Sequence, residues 1–201
     1  QVIKELYDAG CRLLQIDDCT WGAIVDDNIL NIISKESGLT PEELRRELKR
    51  EFLELNNGIL VDLPEDLTVN THVCRGNYHS TWACSGGYDS VSDALFEKQK
   101  VHAYYLEYDT DRAGDFKPLA KVSDGKKVVL GLLTSKSGKL EDKDEVIARI
   151  KEASQYVPLE DLYLSTQCGF ASTEEGNILT EEDQWKKIAL ISEIAREVWG
   201  E

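Results

Sequence analysis

Apolar runs of strand length alternate with helical segments along most of this chain. The segments between the runs carry apolar residues three and four positions apart, which is typical of amphipathic helices. This order predicts an α/β fold in which helices cover a parallel sheet. There is no linker or internal repeat, so residues 1–201 are predicted to form a single domain. The five predicted strands are residues 12–18, 68–74, 102–109, 128–135 and 161–169.

Three helices have recognisable boundaries. The sequence Thr40-Pro-Glu-Glu is a capping box with proline at the first helical position, and Asn57-Gly58 is predicted to end that helix. The run over residues 23–34 is predicted as one helix. The last helix is predicted to begin near Thr180.

Composition excludes two classes of protein. The net charge of −15 argues against a nucleic-acid partner, because a phosphate backbone needs a positive surface. No apolar run approaches the roughly 20 residues that span a bilayer, so a membrane protein is excluded too. The chain contains no methionine, and we therefore expect a fragment that lacks an N-terminal part.

Five cysteines are too few and too widely spaced for a disulfide scaffold. Their odd number indicates a reducing compartment, and we predict a cytoplasmic protein. Cys11 and Cys19 flank the first strand and are predicted to lie in or near the core.

Metal-binding and acidic side chains collect where predicted strands end, which is where parallel α/β folds place functional residues. His72 and Cys74 are two apart on a strand and therefore face the same way. Imidazole and thiolate together form a zinc-type pair. The alternative is a packed cysteine beside a hydrogen-bonded histidine. The other polar strand ends are Asp17 with Asp18, Glu107 with Asp109, and Cys168.

Glu107 and Cys168 strengthen the metal interpretation. Each lies at the end of its own strand, and successive strand ends would ring a common mouth in a barrel. His72, Cys74, Glu107 and Cys168 would together make a tetrahedral zinc site. Because the ligands come from three strands, we expect the fold to assemble the site.

The sequences QIDD, HVCRGN, YLEYD, VVLGLLTSK and QCGFAS occur in this order. Together they resemble the catalytic domain of the cobalamin-independent methionine synthase family, particularly its short, single-domain bacterial members. The resemblance covers essentially the whole chain. It implies a (β/α)8 TIM barrel, of which this chain would hold the last five strands.

The resemblance also implies roles for individual residues. His72, Cys74, Glu107 and Cys168 match the zinc ligands of the family, and Asp17 matches an acid that holds the amino group of homocysteine. The implied activity is methyl transfer from a methyltetrahydrofolate to homocysteine, which yields methionine.

The charge of such a site agrees with this chemistry. The charges of two thiolates, one carboxylate and Zn²⁺ sum to −3 + 2 = −1, and a site with this net charge is a poor Lewis acid for hydrolysis. Coordination to the metal is nevertheless enough to deprotonate an incoming substrate thiol. Glu107 is the hardest ligand, and we expect it to yield its position to a substrate sulfur.

One position departs from the family pattern. Lys136 stands where the synthases carry a histidine that helps protonate the folate leaving nitrogen. Lysine at its ordinary pKa is a weaker acid, so the identity of the methyl donor is open, and so is the catalytic acid. Lys136 could contact an anionic donor or be a plain surface lysine.

Other functions remain open from the sequence. The same zinc could serve alkyl transfer to another small thiol or from another methyl carrier. Alternatively, the protein could be non-catalytic, with a metal whose sole role is to hold the strand ends together. A cofactor-free barrel of the uroporphyrinogen decarboxylase type would leave His72, Cys74 and Cys168 unexplained.

Overall fold

The computed structural model describes residues 1–200 and contains five β-strands and seven α-helices within that range. The strands are β1 (Leu13–Asp18), β2 (Thr68–Val73), β3 (Ala103–Glu107), β4 (Lys127–Leu133) and β5 (Leu162–Thr166). The helices are α1 (Val2–Asp8), α2 (Thr20–Val25), α3 (Asp27–Ser37), α4 (Pro41–Gly58), α5 (Ser92–Lys98), α6 (Lys143–Ala153) and α7 (Glu181–Trp199).

All five strands are parallel and form one sheet in the order β1-β2-β3-β4-β5. The predicted parallel α/β fold is therefore confirmed. Each strand is one to four residues shorter than its predicted run, because the polar residues after most strands leave the ladder for loops. Three candidate site residues, Cys74, Lys136 and Cys168, lie in these loops, whereas Asp17, His72 and Glu107 lie on the strands.

The core lies between the helices and one face of the sheet. On β3, Tyr104 and Leu106 face the helices and are at most 1% exposed. Leu130 of β4 and Ile150 of α6 join the same cluster with no exposed surface. Burial of each such side chain contributes about 1.5–3 kcal/mol. Because side chains alternate along a strand, Glu107 projects from the opposite face of β3.

The predicted helix over residues 23–34 is wrong in one respect, because Asp26 divides it into α2 and α3. Asp26 has extended backbone angles, and its carboxylate accepts hydrogen bonds from the backbone N–H groups of Asn28 and Ile29. An N-cap of this kind starts a new helix where the apolar spacing alone predicts continuity. The capping boxes at Thr40 and Thr180 begin α4 and α7 as predicted.

Two cysteine predictions are corrected by the structure. Cys19 is exposed and Cys11 is only partly buried, so neither lies in the core. Cys19 is the residue before α2, where the chain leaves the sheet edge. Among the helices of residues 1–200, none is both long and apolar enough to cross a bilayer.

Candidate metal centre

Four side chains converge beyond the carboxyl ends of three strands. His72 lies on β2 and Cys74 directly after it, Glu107 ends β3, and Cys168 follows β5. One ligand-type atom from each lies within 4.8 Å of those of the other three. The structure thus brings together all four residues predicted as metal ligands.

The ring of His72 is oriented by a neighbouring carboxylate. Asp17 pairs with His72 in the β1–β2 register, and its Oδ1 lies 2.7 Å from His72 Nδ1. Nε2 is buried without a hydrogen-bond partner and lies 3.4 Å from Glu107 Oε1. Desolvation by burial opposes protonation of His72, but Glu107, Cys168 and Asp17 outweigh it and raise the pKa. A carboxylate on one ring nitrogen is the usual support for a metal-binding histidine.

The two sulfurs form a coupled pair. A hydrogen bond between Cys74 and Cys168 lowers the pKa of Cys168 to about 6 and raises that of Cys74. The backbone N–H of Gly76 also donates to the Cys74 sulfur at 3.4 Å. The pair therefore carries one thiolate near neutral pH, and thiolate is the form of cysteine that binds metals.

Glu107 is fully buried, and its two oxygens have different partners. Oε1 accepts a hydrogen bond from the Arg75 backbone N–H at 3.0 Å, and Oε2 accepts one from Arg112 Nη2 at 3.0 Å. Burial raises the pKa of Glu107, but His72, the Arg75 N–H and the Arg112 charge outweigh burial and lower it. Glu107 is thus held as a carboxylate.

Two buried arginines beside the site, Arg75 and Arg112, were not predicted from the sequence, whereas Asp109 was named there as a polar strand end. Arg112 Nη2 lies 2.8 Å from Asp109 Oδ1, and the Asp109 side chain is 1% exposed. Arg75 has no exposed surface, and its guanidinium lies 4.5 Å from the centre of the Tyr88 ring. The signal that could have found them is the arginine that follows two of the three ligand strands, in CRG after β2 and in DTDRAG after β3.

Lys136 is buried, so its interpretation as a plain surface lysine is wrong. It is 7% exposed, and its Nζ donates to Gly76 O at 3.0 Å and Asn77 Oδ1 at 2.7 Å. Desolvation by burial lowers the pKa of Lys136. Asn177 also donates to Asn77 Oδ1, at 3.0 Å. Lys136 and Asn177 together therefore connect the loops that follow β2, β4 and β5.

A pocket of about 240 Å³ opens beside the four-residue cluster. His72 and Cys168 line this pocket together with residues that include Gln15, Tyr105 and Ser165. The pocket is smaller than the roughly 300–1,000 Å³ typical of drug-sized ligands. It can therefore hold a compact molecule next to the metal-binding atoms.

The donor atoms fit a zinc ion. One imidazole nitrogen, two sulfurs and one carboxylate oxygen form a four-ligand set that zinc prefers. The unpartnered Nε2 of His72 is the observation that tests this fit, since a buried polar nitrogen without a partner is costly. A metal ion at the cluster would satisfy it.

Comparison with known proteins places the chain in a family. Residues 1–189 match the cobalamin-independent synthase catalytic domain. The uncharacterized protein YxjG of Bacillus subtilis (strain 168) is 48% identical over 200 residues, which are 99% of this chain and 52% of YxjG. The chain thus spans about half the length of the curated relatives it matches.

Solved structures agree with the fold. A protein of Listeria monocytogenes described as a candidate vitamin-B12 independent methionine synthase has a TM-score of 0.73 and 35% identity. The match covers 100% of this chain and 52% of that one. A B12-independent methionine synthase from Shewanella sp. W3-18-1 has a TM-score of 0.68 and 20% identity, covering 97% and 50% of the two chains.

These matches confirm the predicted fold, with the five parallel strands forming part of a TIM barrel. The family match extends over every strand and every residue of the four-ligand cluster. The chain therefore belongs to the family of the cobalamin-independent synthase catalytic domain.

Proposed function

We propose that this protein transfers a methyl group to the sulfur of homocysteine, with zinc at the four-residue cluster and a methyltetrahydrofolate as donor. The observation that carries the proposal is the convergence of His72, Cys74, Glu107 and Cys168 within 4.8 Å in a chain of this family. We also propose the reducing cytoplasm as its compartment, where thiol ligands stay reduced.

Three of the four ligands are prepared for zinc by their surroundings. Asp17 turns Nε2 of His72 toward the cluster, Cys168 has a lowered pKa, and Glu107 is kept as the carboxylate. Zinc bound there would supply a positive charge that keeps an incoming thiol deprotonated at neutral pH.

The pocket beside the cluster supports a small amino-acid thiol as acceptor. Its volume of about 240 Å³ suits such a ligand, and Cys168 and His72 border it. The Asp17 side chain is 66% exposed, which leaves its second oxygen open to an amino group. Asp17 would therefore orient His72 through one oxygen and bind the substrate amine through the other.

The proposed folate donor rests on family membership. Lys136 replaces the expected acid histidine, and burial lowers its pKa, which makes its ammonium group a better proton donor than a surface lysine. Its Nζ is engaged by Gly76 and Asn77, and it would have to leave one of these acceptors to reach a donor nitrogen.

A methyl-transfer assay with two donors tests the proposal. Zinc-loaded protein is mixed with homocysteine and either methyltetrahydrofolate or methyl iodide, and methionine is measured by mass spectrometry. We expect methionine from both donors, and loss of it in Cys168→Ser. If methionine forms with methyl iodide but not with methyltetrahydrofolate, the proposed folate donor is wrong. If another thiol reacts faster than homocysteine, the proposed acceptor is wrong. Wild-type rates no higher than those of Cys168→Ser would contradict the activity.

A further inference from the structure

A single arginine connects the candidate ligand Glu107 to a second buried acid. Arg112 lies in the 3₁₀ turn Asp111–Ala113 that follows β3. Its Nη2 is 3.0 Å from Glu107 Oε2 and 2.8 Å from Asp109 Oδ1. The three side chains are 6%, 0% and 1% exposed, respectively. One guanidinium therefore compensates two buried carboxylates, which would otherwise repel each other.

The two oxygens of Glu107 face different surroundings. Oε1 is the oxygen nearest His72 Nε2, at 3.4 Å, and it faces the four-ligand cluster. Oε2 points away to Arg112. A carboxylate that shares its charge with a guanidinium is a weaker base and hence a weaker metal ligand. Arg112 therefore acts on the strength with which Glu107 can bind a metal through Oε1.

The surroundings of Arg112 keep this effect strong. The ring of Trp82 lies over its guanidinium, with the ring centre 5.0 Å from Cζ. The Arg112 side chain is only 6% exposed, so its charge is poorly screened by water. A second arginine, Arg75, hydrogen-bonds Glu107 only through its backbone N–H. Arg112 is thus the arginine whose guanidinium contacts the Glu107 carboxylate directly.

We propose that Arg112 is a positioning residue that keeps Glu107 a weak, single-oxygen ligand and retains the carboxylate when a substrate thiol takes its place. This inference rests on the proposed function. In the exchange, the thiol would lose its proton to the buffer and its sulfur would replace Oε1, while Glu107 would stay paired with Arg112 through Oε2. Nothing is oxidised or reduced.

The proposal predicts opposite effects on metal and on thiol. In Arg112→Gln, Glu107 becomes a stronger base, so metal affinity stays at or above the wild-type value while homocysteine binds about tenfold more weakly. Arg112→Lys keeps the charge and should recover most of the thiol affinity. A merely structural role predicts that metal affinity and folding fall together.

The experiment uses Co²⁺ in place of zinc in the full 201-residue chain. Competition with a chelator gives metal affinity, and the sulfur-to-cobalt absorption band during a homocysteine titration gives thiol affinity. Asp109→Asn/Arg112→Gln removes one positive and one negative charge, so the net charge around Glu107 is unchanged; it serves in case Arg112→Gln alone does not fold. Arg149→Gln is the matched control, because Arg149 bonds the Tyr108 carbonyl and forms no ion pair within residues 1–200.

We expect Arg112→Gln, or the double variant, to retain cobalt and bind the thiol more weakly. We expect Arg112→Lys to recover the thiol affinity. Parallel loss of cobalt and fold in both variants would overturn the inference, as would an unchanged thiol titration. A wild-type chain that binds no cobalt would instead show that the proposed metal site itself is wrong.

Discussion

At the scale of single residues, the candidate site depends on which atom each side chain presents. Asp17 Oδ1 lies 2.7 Å from His72 Nδ1. The other ring nitrogen, Nε2, therefore faces Glu107 and the two sulfurs. The same pairing explains why β1 contributes to a site whose ligands come from β2, β3 and the end of β5. Orientation of the ring is therefore as much a property of Asp17 as of His72.

Asp17→Ala tests this orientation. Without the carboxylate, the ring loses the partner that fixes its tautomer, and we expect zinc affinity to fall about 10- to 100-fold. Asp17→Asn keeps a hydrogen-bond acceptor and should lose less. Chelator competition measures both, with Asp8→Ala, an exposed acid on α1, as the control. Unchanged zinc retention with only a higher KM for homocysteine would show that Asp17 serves the substrate alone.

At the scale of elements, close packing of α2 against the end of β2 positions Cys74. Gly22 lies in α2, and a Cβ added there would lie 2.5 Å from the Cys74 carbonyl oxygen. No side chain fits at that distance without moving the backbone. The glycine therefore determines how closely the helix approaches the residue that carries a candidate ligand.

Gly22→Ala should push Cys74 away from the cluster. We expect a loss of about 1–3 kcal/mol in the free energy of unfolding and weaker metal binding. Gly58→Ala is the matched control, since Gly58 ends α4 and an added Cβ there meets nothing within 4 Å. That substitution should stabilise by about 0.5–1 kcal/mol. Equal effects of the two substitutions in urea unfolding would refute the packing argument.

Strands and strand ends were predictable because the strands of a parallel sheet read as apolar runs that end in polar residues. His72, Cys74, Glu107 and Cys168 could be expected to meet for that reason. The break between α2 and α3 was not predictable from apolar spacing, because Asp26 stabilises it through its own hydrogen bonds and through Ser85. Local capping outweighed periodicity there.

Buried charges were the other feature that sequence patterns did not reveal. Arg112 and Lys136 occupy turns, where no periodicity separates a buried from an exposed side chain. Their burial arises from contacts with residues on other loops and strands, such as Glu107 and Asn77. Such pairings exist only once the sheet has brought its strand ends together.

At the scale of the whole molecule, the sheet has two edges. Within residues 1–200, β1 pairs only with β2, and β5 pairs only with β4. Leu13 on β1 and Tyr163 on β5 are 65% and 47% exposed. Unpaired edges with exposed apolar side chains promote association between chains. The net charge of −15 opposes that association but does not satisfy the edge hydrogen bonds.

We therefore expect the isolated chain to form oligomers as its concentration rises. Leu13→Lys with Tyr163→Lys should shift the distribution toward monomer by several-fold, because charge on an edge strand disfavours pairing. Trp185→Lys is the control, because Trp185 is 59% exposed but lies on α7 rather than on a strand. Light scattering after size exclusion measures the masses. A monomer at every concentration before any substitution would contradict this expectation.

The central claim is that the four converging residues bind one metal ion. The most direct measurement is the zinc content of the purified chain beside Cys74→Ser, with Cys84→Ser as a control for a buried cysteine outside the cluster. We predict about one zinc per chain in the wild type and in Cys84→Ser, and almost none in Cys74→Ser. A folded wild-type chain without zinc, or with the same zinc content in all three proteins, would contradict the account.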